Sequence, residues 1–111
     1  WDSTYRDGDT DAYLYNMEQA FRVLLSYENV RCFYFMNDRE TITNLENYMD
    51  NLHFSAEINH KICNDLIDGK FEVTMENCHE VIEDMRTLSD EIVTKLIVPY
   101  EERIKFDVYD E

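Results

Sequence analysis

The stretch Thr74-Met-Glu-Asn-Cys78-His-Glu-Val-Ile82-Glu-Asp-Met85-Arg-Thr-Leu-Ser-Asp-Glu-Ile92-Val-Thr-Lys-Leu96-Ile-Val-Pro99 decides how the chain is read. Met75, Cys78, Ile82, Met85, Ile92 and Leu96 follow one another at helical spacings and so share one face of a helix, with Thr74 suited to cap it. This is the longest predicted helix, and Pro99 is expected to end it or begin another turn, because proline has no N–H to donate to the turn before it. Opposite the apolar face, Glu76, Glu80 and Asp84 recur every four residues with Glu83 beside them. Like charges at that spacing destabilise an isolated helix by about 0.2–0.5 kcal/mol per pair, so a one-signed stripe is not what helix stability favours.

Working outward, Leu14, Met17, Phe21 and Leu24 predict a first helix starting near Asp11, capped by Thr10 or Asp11. Asn37 with Glu40 three residues later resembles a capping pair, and Ile42, Leu45, Met49 and Leu52 then predict a second helix. Ser55 opens a third, with Ile58, Ile62, Leu66 and Ile67 facing inward and Gly69 placed for the left-handed position past its end. Val30 to Met36 is short, apolar and aromatic, and periodicity does not decide between strand and helix there. Phe71 with Val73, and Ile104, Phe106 and Val108, alternate with polar neighbours as strands do.

These elements predict a mainly α fold, a single domain over residues 1–111 built as a bundle of four to five helices. The alternative is α+β, with a small antiparallel sheet from residues 30–36, 70–74 and 103–109. Composition agrees with helices: 111 residues hold only two glycines and one proline, too few turn residues for a sheet-rich fold. At 44% apolar and 14% aromatic residues the chain can bury a core, although 32% of it is charged.

Twenty-five acids against ten bases give a net charge of -15. Such a charge repels phosphate backbones and anionic membranes and speeds encounter with cationic partners, so direct nucleic-acid or membrane binding is not expected. No run is long and apolar enough to span a bilayer. Cys32, Cys63 and Cys78 are odd in number and widely spaced, which points to free thiols in a reducing compartment and hence a cytoplasmic location. The sequence opens on Trp1 rather than Met, so some N-terminal sequence is expected to be missing.

The segment Asp7-Gly-Asp9-Thr-Asp11-Ala-Tyr-Leu-Tyr-Asn-Met-Glu18 resembles an EF-hand calcium loop, with oxygen-bearing side chains at alternating positions and a glutamate at the twelfth. Asp7, Asp9, Asp11 and Glu18 would be the ligands. Ala12 stands where the loop needs glycine, and no entering helix fits before Asp7, so the simpler expectation is an acidic approach to a helix. His60-x-x-Cys63 and Cys78-His79 are poor zinc spacings, and the cysteines are expected to fill core positions. A glycine-rich phosphate loop, a nucleophile elbow and a Cys-x-x-Cys pair are all missing, so neither enzyme activity nor a cofactor is expected.

What remains is the distribution of acids. Glu76, Glu80, Glu83 and Asp84 form one candidate partner-binding surface, and Glu101, Glu102, Asp107, Tyr109 and Asp110 another near the C-terminus. Tyr5, Tyr13, Tyr15, Tyr27, Tyr48 and Tyr100 lie partly off the apolar stripes and suit an interface. The expected function is an acidic inhibitor of a basic protein, such as a nuclease toxin or other nucleic-acid-processing enzyme. In size and charge alone the chain is similar to bacterial immunity proteins and phage nucleic-acid mimics. Two alternatives are a helical interaction module of the viral Bcl-like or export-chaperone kind, and a degenerate EF-hand-like calcium-binding domain.

Overall fold

A computed structural model of the chain describes residues 2–50 and 52–109, with side chains for 4–50 and 52–104. Its helices are α1 (Asp2–Arg6), α2 (Thr10–Leu25), α3 (Arg39–Thr43), α4 (Ala56–Ile67), α5 (Cys78–Glu91) and α6 (Val98–Tyr109). Short 3-10 turns cover Phe35–Asn37 and Leu45–Asn47, and a π segment, Ile92–Ile97, joins α5 to α6. Two short strands, β1 (Cys32–Phe33) and β2 (Glu72–Val73), pair antiparallel with Cys32 opposite Val73. The fold is therefore mainly α with a small sheet. The predicted sheet gains two of its three members, and residues 103–109 are helical instead.

The predicted longest helix is present, and its cap is reciprocal. The Thr74 hydroxyl accepts from the Asn77 N–H at 3.2 Å, while the Asn77 side chain accepts from the Thr74 N–H at 2.7 Å. This capping box uses Asn where Glu is usual. Pro99 does not stop the helix. An α-helical residue 99 would donate to the carbonyl of residue 95, which proline cannot do, and the preceding turns widen so that the Val98 N–H donates five residues back to Val93.

The core lies between α2 and α5 and under the sheet. Leu14, Ile82 and Met85 pack with Met17, Phe21, Tyr34 and Met36. Cys32, Val73 and Cys78 form a second cluster that shares Phe21 and Tyr34 with the first. Those two rings meet edge to face at 5.8 Å, and burial pushes the Tyr34 hydroxyl up to about 12, with Tyr13 adding to the effect. The Cα radius of gyration is 16.7 Å, against roughly 13 Å for a sphere-like domain of this length. An elongated body has little interior, and many apolar side chains stay outside.

The second predicted helix is the main correction. It stops at Thr43, and Leu45, Met49 and Leu52, expected on its buried stripe, are 84%, 72% and 79% exposed. Amide and carboxylate side chains capture the backbone there. Asn44 accepts from the Glu46 N–H, Asp50 accepts from those of Leu52 and His53, and Asn47 donates to the Thr41 carbonyl. Such local bonds offer the chain turns in place of a helical ladder.

Helix α4 follows Ser55 as expected and ends as Gly69 foretells. Gly69 has φ +73°, its N–H donates to Leu66 and that of Lys70 to Asp65, closing the helix with a Schellman turn. Yet Leu66 and Ile67 are exposed, not inward. The helix is held at the molecule's edge by ions: Lys61 reaches Asp65, which is 5% exposed, at 2.5 Å and Asp38 at 2.7 Å. Leu24, Met75 and Leu96, also expected in the core, are exposed as well.

Candidate functional site

Helix α5 divides its surface cleanly. Cys78, Ile82, Met85, Leu88 and Ser89 are buried on one side, while Glu80, Glu83 and Asp84, with Glu76 in the turn just before the helix, are exposed on the other. Of these four acids only Glu83 meets a base, Arg86, at 3.4 Å. Among the described residues no hydrogen bond or ion pair engages the carboxylate of Glu76, Glu80 or Asp84. Glu76 and Glu80 stand at the N-terminal end of α5, where the positive end of the helix dipole offsets part of their mutual repulsion.

The bases that could neutralise this stripe are committed elsewhere. Arg6 pairs with Glu101, Arg22 with Glu18, Arg31 with Glu72, Lys61 with Asp38 and Asp65, and Lys70 with Asp65. Arg39 and Lys95 share Glu91, and Arg86 also reaches Asp11. Arg103 lies over the Tyr100 ring, 5.8 Å from its centroid. The hydrogen bonds from arginine hold the Glu18, Glu72 and Glu91 carboxyls below their ordinary values, against the opposing pull of burial.

The second predicted surface is divided. Glu102 is exposed on α6, but Glu101 is half-buried and tied to Arg6 at 2.9 Å. Asp107 and Tyr109 are on the α6 backbone with side chains outside the described set, and Asp110 lies outside the described residues. Among the tyrosines, Tyr13, Tyr15, Tyr27 and Tyr100 are about half or more exposed. Tyr5 and Tyr48 are half-buried and tied within the molecule, donating to Asp90 and to the Ile42 carbonyl.

The calcium-loop resemblance does not survive the fold. Residues from Thr10 onward are helix, so Asp11 and Glu18 stand on a rod roughly 10 Å apart along its axis instead of converging on one cation. Glu18 turns to Arg22 at 2.8 Å and to His79 at 3.3 Å. Cys78 fills the core as expected, but Cys63 is exposed, and His60 and His79 are exposed too. No group of three or more His, Cys, Asp or Glu is placed to hold a metal among the described residues.

One feature escaped the sequence reading altogether. A groove enclosing about 580 Å³ runs between the π segment with α6 and the turn after α3, its walls formed by Ile42, Leu45, Ile92, Leu96, Ile97 and Tyr100. The signal for it was Pro99 inside an otherwise regular helical pattern. No protein-family model, curated protein or solved structure matches the chain.

Proposed function

We propose that the protein is a binding protein, not an enzyme, and that it inhibits a basic partner of the nucleic-acid-processing kind, such as a nuclease toxin, in a reducing compartment such as the cytoplasm. The observation that carries this reading is the α5 stripe: three exposed carboxylates at one-turn intervals, unpaired among the described residues, while nearly every described base is used inside the molecule. Carboxylates spaced about one helical turn apart make a line of negative charge that a phosphate-binding cleft attracts. The stripe then occupies the cleft in which the partner holds its substrate, with Glu102 extending the acidic surface, and competition is electrostatic. Residues 107–110 belong to the same proposed surface.

Affinity capture from the source cell at low and at high salt, followed by assay of the captured protein, tests this. The expected result is a basic nucleic-acid-processing enzyme, released by salt and inhibited stoichiometrically. Changing Glu76, Glu80 and Asp84 together to Lys should weaken the complex on the order of tenfold or more. A complex indifferent both to salt and to the triple change would overturn the reading.

A further inference from the structure

We infer that the groove beside the π segment is a second docking site, and that its occupant is an amphipathic helix of another protein bearing acidic residues beside its apolar face. The groove is apolar over most of its lining, and its residues are open to contact: Leu45 is 84%, Leu96 52% and Tyr100 57% exposed. It continues past Ile92 and Leu96 into a shallower hollow reaching Arg39, Leu88 and Lys95. From Leu88 to Arg103 the helical rod is roughly 22 Å long, the length of about 14 residues of helix. A helix laid in such a groove anchors itself with apolar residues at i, i+3 or i+4, and i+7.

Charge selects the occupant. The molecule carries -15 overall, yet Arg39, Lys95 and Arg103 gather along this groove. Arg39 and Lys95 share one carboxylate, Glu91, and Arg103 meets the Tyr100 ring. Positive charge is thus left over at an apolar site, which favours carboxylates on the incoming helix and disfavours the basic partner proposed for the α5 stripe. Among the described residues that line the two hollows, the bases are Arg39, Lys95 and Arg103 and the one acid is Glu91, and screening over about 8 Å in physiological salt makes these lining charges the ones an incoming helix meets first. A second copy of the chain would bring its own charge of -15 to the contact.

The inference is independent of the α5 stripe, and its test leaves that stripe intact. A displayed library of helical peptides of about 14 residues is selected against the full chain, and winners are measured by fluorescence anisotropy against the wild type, Leu96→Glu and Arg103→Glu. The expected winners carry apolar residues at helical spacing with acids beside them. Leu96→Glu should weaken them on the order of tenfold or more, and Arg103→Glu should shift the preference from acidic to basic flanks. Tyr100→Glu replaces Leu96→Glu if the latter lowers the melting temperature. Failure to enrich any helix, winners with basic flanks, or winners indifferent to these changes would overturn it. So would sedimentation showing a wild-type dimer that Leu96→Glu converts to monomer, since the groove is then filled by a second copy.

Discussion

Phe71 holds φ at +62°, a conformation that costs a non-glycine residue about 1–2 kcal/mol. Its carbonyl accepts from the Tyr34 N–H at 2.9 Å, its ring packs on Phe35, and Lys61 sits 5.6 Å from the ring centroid. Those contacts come from two other parts of the chain, residues 34–35 and Lys61, which a local pattern does not reveal, so the alternation of Phe71 and Val73 reads as plain strand. The same contrast between local pattern and long-range packing separates Met85 from Leu45, both placed on apolar stripes by sequence. Met85 is fully buried and Leu45 is 84% exposed. Met85→Ala should cost about 2–5 kcal/mol of stability and Leu45→Ala less than about 0.5, measured by urea unfolding. Similar losses for the two would mean that Leu45 is in a core after all.

At the scale of elements, the parts legible in the sequence are those whose caps and stripes agree. Thr74 to Met85 satisfies both, whereas Ser55 to Gly69 has its ends where the sequence puts them but not its stripe, since Leu66 and Ile67 are exposed. Because the Thr74 hydroxyl and the Asn77 side chain serve each other's N–H, Thr74→Ala should lower stability by about 0.5–2 kcal/mol, read from the shift in denaturation midpoint. No change would show that the box contributes nothing to α5. Residues 42–52 had the stripe but also Asn44, Asn47 and Asp50, whose short side chains reach the backbone first. The acidic stripe was legible because i, i+4 spacing is local. Commitment of the bases was not, since Arg6 to Glu101 and Arg86 to Asp11 join residues far apart in sequence.

For the whole molecule, a charge of -15 sets how it responds to solvent. Surplus carboxylates repel one another, so added salt should raise the melting temperature even though it also screens the pairs. A melting temperature that falls with salt would mean that the pairs outweigh the repulsion. Acid acts in a definite direction on Glu18, Glu72 and Glu91, whose pKa values arginine depresses in the folded state. Their stabilisation is complete above the ordinary glutamate value of 4.5 and is lost as the pH falls through the lower folded values. Melting followed by circular dichroism should therefore show stability falling below about pH 4.5; a flat profile down to about pH 3 would contradict it.

Leu96 follows Cys78 by 18 residues, about five turns of straight α-helix, so an unbroken rod would aim both the same way. Cys78 is fully buried and Leu96 is half exposed, because a π turn holds one residue more than an α turn and rotates everything beyond it by roughly 100°. The acidic stripe and the apolar groove are thus written on one helix in two reading frames. A change that lets Ile92–Ile97 close up as α-helix with no residue lost, such as Pro99→Ala, would turn Leu96 and Tyr100 toward the interior and erase the groove while leaving Glu76, Glu80 and Asp84 where they are. The two surfaces can therefore be gained or lost separately in descent.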